Sequence, residues 1–160
     1  MPPATASAYD AQWSLDLGVG WGVAPALSSF PNNGPATSAS AGFGIGDTWA
    51  LRPTLSYAVH PPFNGGDALH VLFGGVEGLY LIDILQVVPS FGAGIDVLAT
   101  YDGRLWGADF AVHLVGSLDY LVSREFVIGV DIRPYFLLTA LDRDPIYLSF
   151  LLRASVLFDY

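Results

Sequence analysis

Gln12-Trp13-Ser14-Leu15-Asp16-Leu17-Gly18-Val19-Gly20-Trp21-Gly22-Val23 is the stretch on which the reading of this chain turns. Trp13, Leu15, Leu17, Val19, Trp21 and Val23 are apolar. Gln12, Ser14, Asp16, Gly18, Gly20 and Gly22, between them, are polar or glycine. Successive side chains of a strand point to opposite faces, so strict alternation predicts a strand with one oily face. A Trp stands near each end of that face. The stretch reads as one membrane-spanning strand, and much of the chain repeats its pattern.

The 160 residues suit a single domain, 1–160, with 1–11 as a short N-terminal tail. Mean hydropathy is high at +0.48. Yet no apolar run reaches the roughly 18–20 residues of a transmembrane helix. The longest candidate, Leu79 to Val88, is broken by Asp83 and Gln86. The other structure that satisfies every backbone polar group in lipid is a closed β-barrel. The chain has no lysine and a net charge of −9, which argues against nucleic acid, because phosphate binding needs a basic surface. Without cysteine there is no disulfide, thiolate metal site or cysteine nucleophile. The start, Met-Pro-Pro-Ala-Thr-Ala, has neither a basic nor an apolar leader region, so for an exported chain the expectation is that the signal peptide has been removed. Ala4-Thr5-Ala6 reads as the remnant of a small-residue cleavage site.

Seven further stretches alternate, at 38–45, 49–59, 69–81, 87–99, 109–121, 126–137 and 146–160. The connections are expected to run long, short, long, short, long, short, long: 24–38, Gly46-Asp47-Thr48, His60 to Asp67, Asp83-Ile84-Leu85, Tyr101 to Ala108, Ser123-Arg124-Glu125 and Ala140 to Pro145. This is the rhythm of an all-β, eight-stranded antiparallel up-and-down transmembrane barrel. Two irregularities call for local adjustment. In 69–81, Leu69, Val71 and Phe73 alternate against His70, so a glycine bulge at Gly74-Gly75 is expected to turn Glu77 inward. Pro53, Pro89 and Pro134 would each remove a ladder bond, and local bulges, or strand assignments off by a residue, are the expected explanations.

The apolar face is assigned outward. A soluble barrel puts charge outside, but here the second face is mostly Gly, Ser and Ala, and most acidic residues fall in connections. The oily face therefore meets lipid. Aromatics bracket it: Trp13 and Trp21, Trp49 and Tyr57, Phe110 and Tyr120, Phe126 and Phe136, Phe150 and Tyr160, with Phe158 beside the last. Eight to ten residues at about 3.3 Å each, tilted about 40°, span roughly 20–25 Å, the height of an apolar membrane band. Inside, Arg52, Arg133 and Arg153 are expected to meet Asp16, Glu77, Asp96 and Asp131, with His113 among them. Long side chains from 109–160 would reach across into space left by glycine. The expected result is a packed polar core that plugs the lumen, with a narrow or gated pore whose salt bridges rearrange as the other reading.

The last stretch, Leu152, Ala154, Val156, Phe158 and terminal Tyr160, resembles the carboxy-terminal signature of bacterial outer-membrane proteins. The chain over 12–160 resembles the small eight-stranded group that includes the OmpA transmembrane domain, OmpX and OmpW. The resemblance implies a bacterial outer-membrane location, with both termini on the periplasmic side. It implies recognition by the barrel assembly machinery through the strand ending at Tyr160, and contact with outer-membrane lipids and lipopolysaccharide. A monomer with a structural or surface-interaction role is expected, and an OmpW-like channel for small or hydrophobic solutes is the alternative. A lipid A-modifying enzyme is the less favoured reading, because the deacylase His-x-Ser motif is absent: the histidines read His60-Pro61-Pro62, His70-Val71-Leu72 and His113-Leu114-Val115. No catalytic residue, metal or cofactor is assigned. His60 and His70, with Asp67, are read as loop-edge residues rather than a metal site. Asp102, Asp109, Asp142 and Asp144 are read as a solvated acidic rim rather than a Ca²⁺ or Mg²⁺ bridge to lipopolysaccharide phosphates.

Overall fold

A computed structural model describes residues 12–24, 33–62, 67–82, 86–141 and 145–159. Eight strands follow one another: β1 (Gln12–Val23), β2 (Asn33–Ile45), β3 (Trp49–His60), β4 (Leu69–Leu81), β5 (Val87–Tyr101), β6 (Trp106–Leu121), β7 (Phe126–Leu137) and β8 (Ile146–Asp159). Each pairs antiparallel with the next, and β1 closes on β8 from Gln12↔Asp159 to Val23↔Leu148. Closure leaves no sheet edge around the wall, which is what a lipid environment demands. The end where β1 starts and β8 finishes is called the near end below, and the opposite one the far end.

The two faces are sorted as the alternation predicts. Leu17 is 70% exposed and Ile95 64%, whereas Glu77 and Arg133 are 1% exposed. Large apolar side chains cover the outside and charged ones fill the inside. In water this arrangement would waste about 25 cal/mol for every Å² of apolar surface left out; in lipid it costs nothing.

The strands are longer than the sequence suggests. β2 begins at Asn33 rather than Ser38, because β1 continues as a template: Trp21 pairs with Pro35 and Val23 with Asn33. Pro35 is tolerated there because pairing to β3 starts only at Ala36. β5 and β6 also run on to Tyr101↔Trp106. The expected loop Tyr101 to Ala108 shrinks to a tight turn, Asp102 to Leu105. Asp102 Oδ1 accepts the Leu105 amide at 2.8 Å and the Arg104 amide at 2.9 Å. These two bonds hold the Asp102 carboxyl below the usual carboxylate range. Gly103 supplies the positive φ of 88° that the turn needs. The expected turn Asp83-Ile84-Leu85 lies outside the described residues.

Neither predicted bulge forms. β4 pairs without interruption from Trp49↔Tyr80 to His60↔Leu69 on one side and from His70↔Tyr101 to Leu81↔Ser90 on the other. Glu77 faces inward because the whole strand is in that phase, so Leu69, Val71 and Phe73 face inward with it, and His70 and Leu72 face out. Both faces of β4 are apolar enough for lipid, and the cost of placing Glu77 in hydrocarbon decides the phase. The prolines are handled as simply. β2–β3 pairing skips from Ser40↔Thr54 to Phe43↔Leu51 around Pro53, and β6–β7 skips from His113↔Tyr135 to Gly116↔Ile132 around Pro134. The register is the same on both sides of each gap, so no residue is inserted. Pro89 sits beyond the last β4 pair, where its carbonyl accepts the Ile82 amide at 2.9 Å.

Candidate functional site

The lumen holds the chemistry. Asp16 on β1, Arg52 on β3, Glu77 on β4, Asp96 on β5, His113 and Asp119 on β6, Asp131 and Arg133 on β7 and Arg153 on β8 are all buried. Inward parity on each strand puts them on one axis, and their contacts cross it. Arg133, on β7, donates to Glu77 on β4 through Nε at 3.2 Å and Nη2 at 3.2 Å, and to Asp131 at 2.8 Å. Arg52 Nε donates to Glu77 Oε1, the oxygen that Arg133 Nη2 also reaches, and Arg52 Nη2 lies 3.6 Å from Asp131. β7 stands four strands from β3 and three from β4 in the closed order, so Arg133–Glu77 and Arg52–Asp131 cross the lumen, while Arg52–Glu77 joins paired neighbours and Arg133–Asp131 lies within β7.

Arg153 makes a second hub nearer β1. It reaches Asp119 through Nη2 at 2.5 Å, Asp131 through Nε at 3.3 Å and Asp16 through Nη1 at 3.3 Å. Ser155 accepts from Nη1 at 2.7 Å, and Ser40 donates to Asp16 at 2.9 Å. His113 puts a ring nitrogen on each of two carboxylates: Nε2 is 2.7 Å from Glu77 Oε2, and Nδ1 contacts Asp96. Asp131 ties the two hubs together. Removing one member of such a buried group leaves the others uncompensated, at a cost of about 3–5 kcal/mol.

The sequence reading assigned every member of this network except Asp119, Ser40 and Ser155. Asp119 shares its parity with His113 and Ser117, and that parity was the available signal. Glycine serves the network differently from the expectation. A Cβ on Gly94 would fall 2.4 Å from His113, one on Gly129 would fall 2.1 Å from Asp119, and one on Gly22 would fall 1.9 Å from the Tyr147 hydroxyl. Gly94 pairs with His113, and Gly129 with Asp119, so these side chains lie flat over their own neighbours rather than entering space from across the barrel.

Beyond the ion layer, toward the far end, the lumen becomes apolar. Phe73, Leu69 and Val71 of β4 meet Tyr135 and Tyr147. The ring of Phe73 lies 4.3 Å from Tyr135 and 4.9 Å from Tyr147. His60 is fully buried beside this plate, its Nε2 3.1 Å from the Tyr147 hydroxyl. His70 is on the outside of the wall, its Nδ1 2.5 Å from the Tyr57 hydroxyl. The two histidines therefore do not meet at a rim. Among the described residues no three His, Cys, Asp or Glu side chains form a metal-holding group. Asp142 and Asp144 lie outside the described residues.

On the outer wall, aromatic rings gather at two levels. Near the strand starts, Trp13 packs on Phe43, and Trp49, Tyr80 and Phe91 follow one another at 5.2 and 5.4 Å. Trp13 also pairs with Phe158, and Tyr120 with Ile128. At the other level Trp21 pairs with Phe150, while Tyr57, His70, Tyr101 and Trp106 form a continuous row of rings. Tyr160 lies outside the described residues.

No protein family matches the sequence, and no curated protein does. Solved structures match along almost the whole chain. OprG of Pseudomonas aeruginosa aligns with a TM-score of 0.69 at 11% identity, over 95% of this chain and 98% of that one. Neisserial surface protein A aligns at 0.65 and 15%, over 94% and 98%. Ail, the attachment invasion locus protein of Yersinia pestis, aligns at 0.64 and 11%, over 93% and 99%. The chain has the fold of the small eight-stranded outer-membrane barrels. Identities this low leave that fold as the shared property. In a barrel of eight strands the interior is just wide enough for side chains to fill, and here Glu77, Asp131 and three arginines fill it.

Proposed function

We propose that this chain is an integral protein of the bacterial outer membrane whose role is structural or one of surface contact, with a lumen closed to solutes. The observation that carries this reading is the pair of bridges from Arg133 on β7 to Glu77 on β4 and from Arg52 on β3 to Asp131 on β7, which cross the lumen where an open pore would need water. In this reading the chain is a monomer in lipid and lipopolysaccharide. Its near end faces the periplasm, its far end presents the connections, and its last strand is read by the barrel assembly machinery. The aromatic levels support the placement, since Trp and Tyr favour the two membrane interfaces.

A narrow channel for small or hydrophobic solutes is the second reading, favoured by a cavity at the far end described below. It would require the ion layer to open. Enzymatic activity finds no support in the histidines: His60 and His113 are buried in contacts, and His70 stacks on the outer wall. Detergent extraction with heat-shifted gel migration tests the placement, and a chain that stays soluble and monomeric without detergent would refute it. Liposome swelling tests the closed lumen: no uptake of small sugars or amino acids above that of empty vesicles is expected.

A further inference from the structure

The apolar phase of β4 creates something the polar-plug account does not use. Above the plate of Phe73, Tyr135 and Tyr147 lies a cavity of about 170 Å³. Its walls include Leu69, Val71, Leu98, Leu137 and Ile146, with Tyr147 at one side and Thr100 and Asp109 as polar neighbours. Leu98 is 2% exposed and Val71 3%, so the floor of the cavity is withdrawn from solvent, while Ile146 at its mouth is 40% exposed and the cavity is open on that side. The cavity does not lead through the barrel, because the aromatic plate and then the ion layer lie beneath it.

We propose that this cavity is a binding site for a small uncharged apolar molecule, of benzene size or slightly larger. Size and lining both favour it. An apolar cavity of about 150 Å³ walled by aliphatic side chains stays dry and takes up benzene or xenon. Here the cavity has a similar volume and a mainly aliphatic lining, joined by Thr100 and Asp109, and it differs in being open at its mouth. A lumen closed only for structural reasons could have filled this layer with longer side chains. The polar neighbours refine the class. Asp109 accepts from Thr139 at 2.7 Å and places a carboxylate beside the site. An anionic ligand such as a fatty acid would meet that charge without a buried cation to offset it, since Arg52, Arg133 and Arg153 are committed below the plate. A neutral aromatic, with or without one hydroxyl, fits.

The test is a titration of the full chain in lipid nanodiscs with fluorobenzene, followed by methyl NMR. Because fluorobenzene also dissolves in the bilayer, the lipid-facing methyls of Leu17 and Ile95 serve as the internal reference for partitioning. Saturable shifts at Val71, Leu98 and Leu137, against linear drift at Leu17 and Ile95, are expected. Leu98→Trp fills the cavity from the wall and should weaken the saturable response by about tenfold or more. Should that variant fail to insert, Ala140→Phe fills it from a position outside the strands and should act alike. Linear drift at all of these methyls would overturn the proposal. So would saturation that survives filling, or sodium dodecanoate matching fluorobenzene at equal concentration.

Discussion

In the middle of the lumen, Arg52, Arg133 and Arg153 close the barrel on Glu77, Asp131, Asp16 and Asp119; one layer further along, Phe73, Tyr135 and Tyr147 close it without a charge between them. The two layers are equally buried and are held by opposite means. The ionic layer depends on every member, because a charge in a low-dielectric interior is tolerated only with its partner. The aromatic layer depends on volume, and it can lose or gain a small guest without leaving a charge exposed.

The contrast predicts an ordered set of losses. Glu77→Ala strips Arg52, Arg133 and His113 of their shared partner and should cost about 4 kcal/mol in urea unfolding from lipid vesicles, read by Trp fluorescence. A loss below about 1 kcal/mol would show that the network rearranges freely. Phe73→Ala should cost about 3 kcal/mol, mainly as an enlarged cavity, and should leave the ion layer closed. Combined with Glu77→Ala, its effect should add to within about 0.5 kcal/mol if the two layers are independent. Leu17→Arg leaves both layers untouched but puts a charge on the wall at mid-height, and should cost about 2–3 kcal/mol in a bilayer. The same substitution on a water-facing surface would cost almost nothing, so this variant tests which side is out. Tyr147→Phe removes the hydroxyl that meets His60 and should cost about 1 kcal/mol, with no change in whole-protein shape.

The same contrast explains what the sequence could show. Alternation revealed β1, β7 and β8 nearly to the residue, because one face of each is plainly apolar and the other plainly not. Burial of Arg133, Asp131 and Arg153 followed from parity alone. β4 resisted, since Leu69, Val71, Phe73, Leu72 and Tyr80 make both its faces apolar. Only the long-range need to bring Glu77 to Arg52 fixes its phase, and a single strand does not display that need. The aromatic plate and its cavity were hidden with it. The ends of β2, β5 and β6 were hidden for a related reason: Asn33, Gly34 and Pro35 are turn-formers by composition, and become strand only because β1 is beside them.

Whether the ion layer closes the barrel is decided most directly by single-channel recording in planar bilayers, comparing the wild-type chain with Arg153→Ala. The wild-type barrel is expected to give no stable conductance steps, while Arg153→Ala, which frees Asp16, Asp119 and Asp131 from their shared cation, should admit transient openings. Stable wild-type steps whose size changes on Arg153→Ala would place that layer in an open pore and contradict the closed lumen.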